Sequence, residues 1–247
     1  MNQAAILQAS NNHAATLIQA GQYRQAYKGL QEDMSLASDA IAACSKCYDE
    51  HSHEIRKYGS SLNAPLSIMA LTQTYNACSV DSNGIFPWPL TSRIMENTSS
   101  ISSNHSVSHE NPNELFPTCA ISFFNMALAC HLLARQEQQQ QQQYEQQSQT
   151  ESPFRAQALL RLRAANLYMR AFEIGLAFHL QTLNLAVCTN LMEISYEQGD
   201  LPVLHAWRDY YVRKLPELTS GASPEMLPVV KQTLLYYTGD LVAAKAA

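Results

Sequence analysis

Apolar residues recur every three to four positions over most of this chain, as in Ala14, Leu17 and Ile18 and again in Leu159, Leu162, Leu167, Tyr168, Ala171 and Phe172. That is the period of a helix with one face turned to a core, and it predicts an all-α protein. The helices fall into pairs. One pair is expected over 3–20 and from Tyr23 onward, with Gly21 and Gln22 at the turn and Ala26 and Leu30 facing back. Glycine at a helix end accepts the left-handed backbone that the cap needs. A later pair is expected from 182–198, a turn at Gly199 and Asp200, and a helix with Pro202 just inside it, where the missing N–H leaves no bond unmade. A last helix is expected from Ser223, Pro224 and Glu225, a capping hydroxyl ahead of a first-turn proline and acid.

The helical period lapses in three places. Residues 96–113 are almost all Ser, Asn, His and Thr, with Ile101 and Val107 their only sizeable apolar side chains, too few to order the segment. Residues 136–152 hold an unbroken glutamine run over 138–143 and read as a loose or frayed helical connection. Both are expected to be disordered insertions in a single domain spanning 1–247. Over 64–90, Pro65, Pro87 and Pro89, a Ser82-Asn83-Gly84 turn signal and the alternation of Leu66 with Ile68 predict an extended excursion or short β-hairpin.

Composition narrows the function classes. With 46% hydrophobic residues in 247, the chain can bury a continuous core without disulfides. A net charge of -5 and 16 scattered Lys and Arg give no basic field, which argues against nucleic acid. The first residues lack a basic start and an apolar run, and no stretch approaches the ~18 apolar residues of a membrane span, so neither a signal nor a membrane anchor is expected. Six cysteines without an export signal suggest reduced thiols in the cytoplasm or nucleus. In that compartment the sequons at Asn97 and Asn104 would stay unmodified.

Catalytic motifs are missing: the sequence has no Gly-x-Ser-x-Gly elbow, glycine-rich phosphate loop or His-Glu-x-x-His pair, and no enzyme activity or cofactor is expected. Cys44, Cys47, His51 and His53 offer four zinc ligands within ten residues. On one helix, however, Cys44 and His53 do not share a face, so a helix end with buried thiols and exposed imidazoles is the simpler reading and no metal is assigned. His131, His179 and His205 lie at helical spacing among apolar residues and read as core or rim positions. Phe86 and Trp88, between prolines, read as a plug under the irregular segment or as a protein-binding tip.

The repeated feature is an asparagine. Asn12 stands nine residues before Gly21, Asn190 nine before Gly199, and Asn125 nine before Ala134, where the Gln-rich stretch begins. The helix after that of Asn125 carries Ala164, Tyr168 and Ala171, a small, aromatic, small set that lets antiparallel helices pack closely; Ala26, Leu30 and Asp33 occupy the same spacing in the first pair, with the last position departing. Such pairs are stable only when stacked on neighbours.

On these residues the chain resembles the tetratricopeptide repeat (TPR) family, and within it the subgroup whose first helix carries an Asn-Leu-Ala pattern ahead of a turn glycine, as in kinesin light chains. The matching stretches run from Asn11, Asn12, His13 and Ala14 to Gly21, from Phe124, Asn125, Met126 and Ala127 to Ala134, and from Thr189, Asn190, Leu191 and Met192 to Gly199. It is also similar to divergent, insertion-bearing TPR proteins of unicellular eukaryotes. The resemblance implies a TPR-like α-solenoid of three or so antiparallel pairs, serving as a scaffold for protein–protein interaction. It maps the peptide-binding ladder of that subgroup onto Asn12, Asn125 and Asn190, whose amides would bond the backbone of a peptide or partner helix in the concave groove. An amide suits this because it offers donor and acceptor together. The alternative for each is an asparagine that satisfies a helix end or faces water. Family members that clamp acidic chaperone tails carry a further Asn and lysines one turn on; Ala15, Leu128 and Glu193 stand there instead, which argues against that partner. Rival readings are a metal-binding protein or small enzyme built on the Cys/His cluster, and a purely structural subunit.

Overall fold

A computed structural model describes residues 3–36, 66–70, 89–94, 112–144 and 153–220. Their elements are α1 (Gln3–Gln19), α2 (Tyr23–Leu36), β1 (Leu66–Ala70), β2 (Leu90–Ile94), α3 (Pro112–Tyr144), α4 (Pro153–Ala177), α5 (Gln181–Glu197) and α6 (Leu201–Ser220). The described protein is mostly helical, as the periodicity predicts. Residues 44–53, 86–88 and 223–225, on which the Cys/His cluster, Phe86, Trp88 and the last expected helix fall, lie outside the described residues.

Helices α1 and α2 follow from their stripes. Ala4, Leu7, Asn11, Ala14, Ala15 and Ile18 are the buried positions of α1, at steps of three and four, and Ala26, Leu30 and Met34 bury at steps of four in α2. The departing third position, Asp33, accepts a hydrogen bond from Ser10, so the two helices are tied across their interface. Both expected turns form, with Gly21 at φ 74° and Gly199 at φ 69°. Each closes its helix by the same device: Gln22 N–H reaches back to the Leu17 carbonyl at 2.9 Å, and Asp200 N–H to that of Ser195 at 2.9 Å.

Helix α3 lies at the centre, packed by α1, α2, α4, α5 and β2. Its stretch Glu114–Gln141 is long and apolar enough to cross a membrane, in contrast to the sequence expectation, and 89% of the most apolar window is covered by the rest of the protein. A helix apolar on all sides is a core helix when others surround it. It does not end at Ala134, which is fully buried within it, but continues through the glutamine run to Tyr144. The reason is docking: Gln141 accepts from Gln157 at 2.6 Å and Gln138 from Arg161 at 2.6 Å, so the polar tail has a partner helix. The connection expected over 136–152 is thereby helical up to 144. Rising numbers in α3 meet falling numbers in α4, with Phe124 beside Tyr168, which makes the two antiparallel. Ala164, Tyr168 and Ala171 are all fully buried, as the small, aromatic, small set predicts.

The excursion is a two-stranded antiparallel ribbon in which Ala70 lies opposite Leu90 and Leu66 opposite Ile94. The alternation at Leu66 and Ile68 marks β1. Its partner β2 lies at and beyond the end of the expected span, against α1 and α3.

Candidate functional site: an asparagine cradle and a buried ionic cluster

Strand β2 is held by two asparagines. The Leu90 N–H donates to Oδ1 of Asn125 at 2.9 Å, and the Leu90 carbonyl accepts from Nδ2 of Asn125 at 2.7 Å and from Nδ2 of Asn11 at 3.0 Å. The second hydrogen of Asn125 goes to Oδ1 of Asn11 at 2.8 Å. Asn11, Asn125 and the Leu90 side chain are all sealed from water. Every donor on Asn125 is used, and both lone pairs of the Leu90 carbonyl are taken, so the pair reads one residue of extended backbone completely. An unmet amide at such a depth would be expensive.

The three asparagines singled out in the sequence have different surroundings. Asn125 makes the backbone contacts just described. Its partner is Asn11; Asn12, one position on and about 100° round the helix, is half-buried, and its carbonyl accepts from the Thr16 hydroxyl at 3.1 Å. The signal for Asn11 was present: it sits in the stripe of Ala4, Leu7, Ala14 and Ile18, where a polar residue demands a partner. Asn190 is also fully buried, and its Nδ2 donates to the Tyr168 hydroxyl at 2.9 Å, between α5 and α4. Ala15 and Leu128 are core residues, and Glu193, expected on the groove, is buried and bonded to Arg135.

A second polar assembly joins α3, α4 and α5, and sequence reasoning missed it. Arg135 bonds Glu197 at 2.7 Å as well as Glu193, Arg161 bonds Glu197 at 2.9 Å, and Nε2 of His131 lies 3.3 Å from Glu197. These side chains are at most 14% exposed. Burial pushes the Glu197 carboxyl up, but the His131 hydrogen bond and the Arg135 guanidinium outweigh it and hold the group down at about 2. For His131 burial dominates and lowers the imidazole below its usual range, against the pull of Glu197. A neutral imidazole donating from Nε2 fits both directions, and its Nδ1 is buried without a partner among the described residues. Two cations face two anions, so the assembly is a charge-balanced clasp. What could have marked it is that Arg135, Glu193 and Glu197 are charges on the apolar helices α3 and α5.

Among the described residues, two of the buried thiols are poor nucleophiles. Burial pushes the Cys130 thiol up to about 12, with Arg163 acting the other way, and raises that of Cys188 further, so neither is a thiolate nucleophile. Among the described residues, no group of three or more His, Cys, Asp or Glu side chains is placed to hold a metal ion. His179 is exposed at a turn, and His205 is half-buried.

Compared with known proteins, the chain matches no protein-family model, no curated protein and no solved structure.

Proposed function

We propose that the chain is a protein-interaction module built of TPR-like helix pairs, in which asparagines on one face hold extended backbone, and that it binds rather than catalyses. The observation that carries this reading is the grip of Asn125 and Asn11 on both backbone groups of Leu90. Main-chain bonds from a rigid helical surface are how an extended segment is held without regard to its side chains. In this structure the occupant is the protein's own β2. Support for paired helices comes from packing: α1 on α2, both on α3, α3 on α4, α4 on α5 and α5 on α6, each helix resting on its neighbours in the chain.

A test supplies the strand from outside. Leu90→Pro removes the N–H that Asn125 accepts and should empty the cradle; a fluorescent peptide of residues 85–96 should then bind the variant saturably and the unaltered chain weakly. Asn125→Leu in the same background should abolish that binding. If Leu90→Pro keeps its helical circular dichroism yet captures no peptide, the cradle only fastens β2 and the reading fails.

A further inference from the structure

On a different face, between α2 and α4 and floored by Leu133 of α3, runs an open groove of about 900 Å³. Its α4 wall spans Ala156 to Arg170, roughly four helical turns at 1.5 Å per residue. Leu159 and Leu162 stand on that wall 58% and 54% exposed, although leucines at this spacing ordinarily mark a covered face. The groove's charge is one-sided. Arg24 is neutralised by Glu137 at 2.7 Å. Arg163 and Arg170 have no carboxylate partner among the described residues; each guanidinium is instead laid over an aromatic ring, Tyr27 at 5.6 Å and Phe123 at 5.9 Å. Stacking restrains both side chains without cancelling either charge. Two uncancelled cations thus flank exposed leucines on a chain whose net charge is -5.

We infer that this groove docks an acidic amphipathic helix from a partner protein. Its apolar face would cover Leu159 and Leu162, and its carboxylates would meet Arg163 and Arg170. Those arginines are seven residues apart on α4, two turns or about 10 Å, so the matching feature is a pair of Asp or Glu residues seven apart. A helix laid in a groove between two others is an established mode of recognition, with apolar anchors at steps of three and four. The site shares no residue with the asparagine cradle, so it stands or falls by itself.

The deciding experiment selects binders from a displayed library of random 16-residue segments against the full chain. Enriched sequences should be net negative, with apolar residues at helical spacing and acids seven apart. Their affinity should fall about tenfold or more in Arg163→Glu/Arg170→Glu, as expected for paired charges at an interface, and should weaken as salt rises. Leu162→Asp should abolish binding, with circular dichroism and melting confirming that this exposed substitution leaves the fold intact. Enrichment of basic or unpatterned sequences, the absence of any enrichment, or binding indifferent to these variants would overturn the inference. So would concentration-dependent dimerisation lost in Leu162→Asp, which would make a second copy of the chain the occupant.

Discussion

Asn125 and Asn190 stand alike in the sequence, each on an apolar helix nine residues before a small residue, yet the two halves of the molecule use them differently. In the first half an extended strand passes over α1 and α3 and presents N–H and C=O from one residue, so Asn125 and Asn11 close on it. In the second half Asn190 bonds the Tyr168 hydroxyl, and the nearby polar burden is carried by charges: Arg135 and Arg161 against Glu193 and Glu197. The role of a buried amide is set by what is brought to it. Extended backbone makes it a clamp, whereas a phenol makes it a helix-to-helix tie.

The ionic clasp should be the more fragile half when broken. Glu197→Leu leaves Arg135 and Arg161 short of a counter-charge at a site only 13–14% exposed, and should cost about 3–4 kcal/mol in urea denaturation. Loss below about 1 kcal/mol would mean that water already screens the cluster. Next in size, Asn125→Ala strips Leu90 N–H of its acceptor and unsettles Asn11, at about 2–3 kcal/mol, against about 1–2 kcal/mol for Asn190→Ala. Hydrogen exchange sharpens the contrast, since the Leu90 amide should exchange faster in Asn125→Ala and be unchanged in Asn190→Ala. Equal effects of the two variants on that amide would erase the distinction between clamp and tie.

Helices were legible in the sequence because periodicity and turn glycine report local backbone needs: the α1–α2 and α5–α6 turns lie where Gly21 and Gly199 place them. The end of α3 was not, because glutamine composition says nothing of the α4 side chains Gln157 and Arg161 that dock against the run and keep it helical. Asn125 could be singled out, but its partner depends on helix rotation, and counting back from the turn selects Asn12 where the buried stripe selects Asn11. The clasp joins positions up to 66 residues apart, and no local rule pairs His131 with Glu197.

Acid separates the contributions of the clasp. His131 has its folded-state pKa lowered by burial from an ordinary 6.5, so its neutral form belongs to the folded state; the stability it gives is complete above pH 6.5 and is lost as pH falls from there. Glu197, held at about 2 against an ordinary 4.5, contributes stability that is lost only as pH falls from 4.5 towards 2. Thermal melts should therefore show two successive declines on acidification. His131→Gln should flatten the upper one and, because His131 helps hold Glu197 down, narrow the lower without removing it, since Arg135 remains; an unchanged upper limb would assign it to another group.

The smallest expected effect runs the other way. The turn between α4 and α5 closes as the two glycine turns do, with Leu180 N–H on the Gly175 carbonyl at 2.8 Å, but the left-handed position is filled by His179 at φ 54°. A side chain there is strained, and glycine removes the strain at some cost in unfolded-state entropy. His179 is exposed and its hydrogen bonds in this turn are made by backbone, so His179→Gly should leave the contacts intact and stabilise the fold by about 0.5–1 kcal/mol. A rise of a few degrees in Tm, with the Leu90 amide unaffected, would place the gain in the second half alone. A fall would mean that the His179 ring makes a contact worth more than the backbone strain.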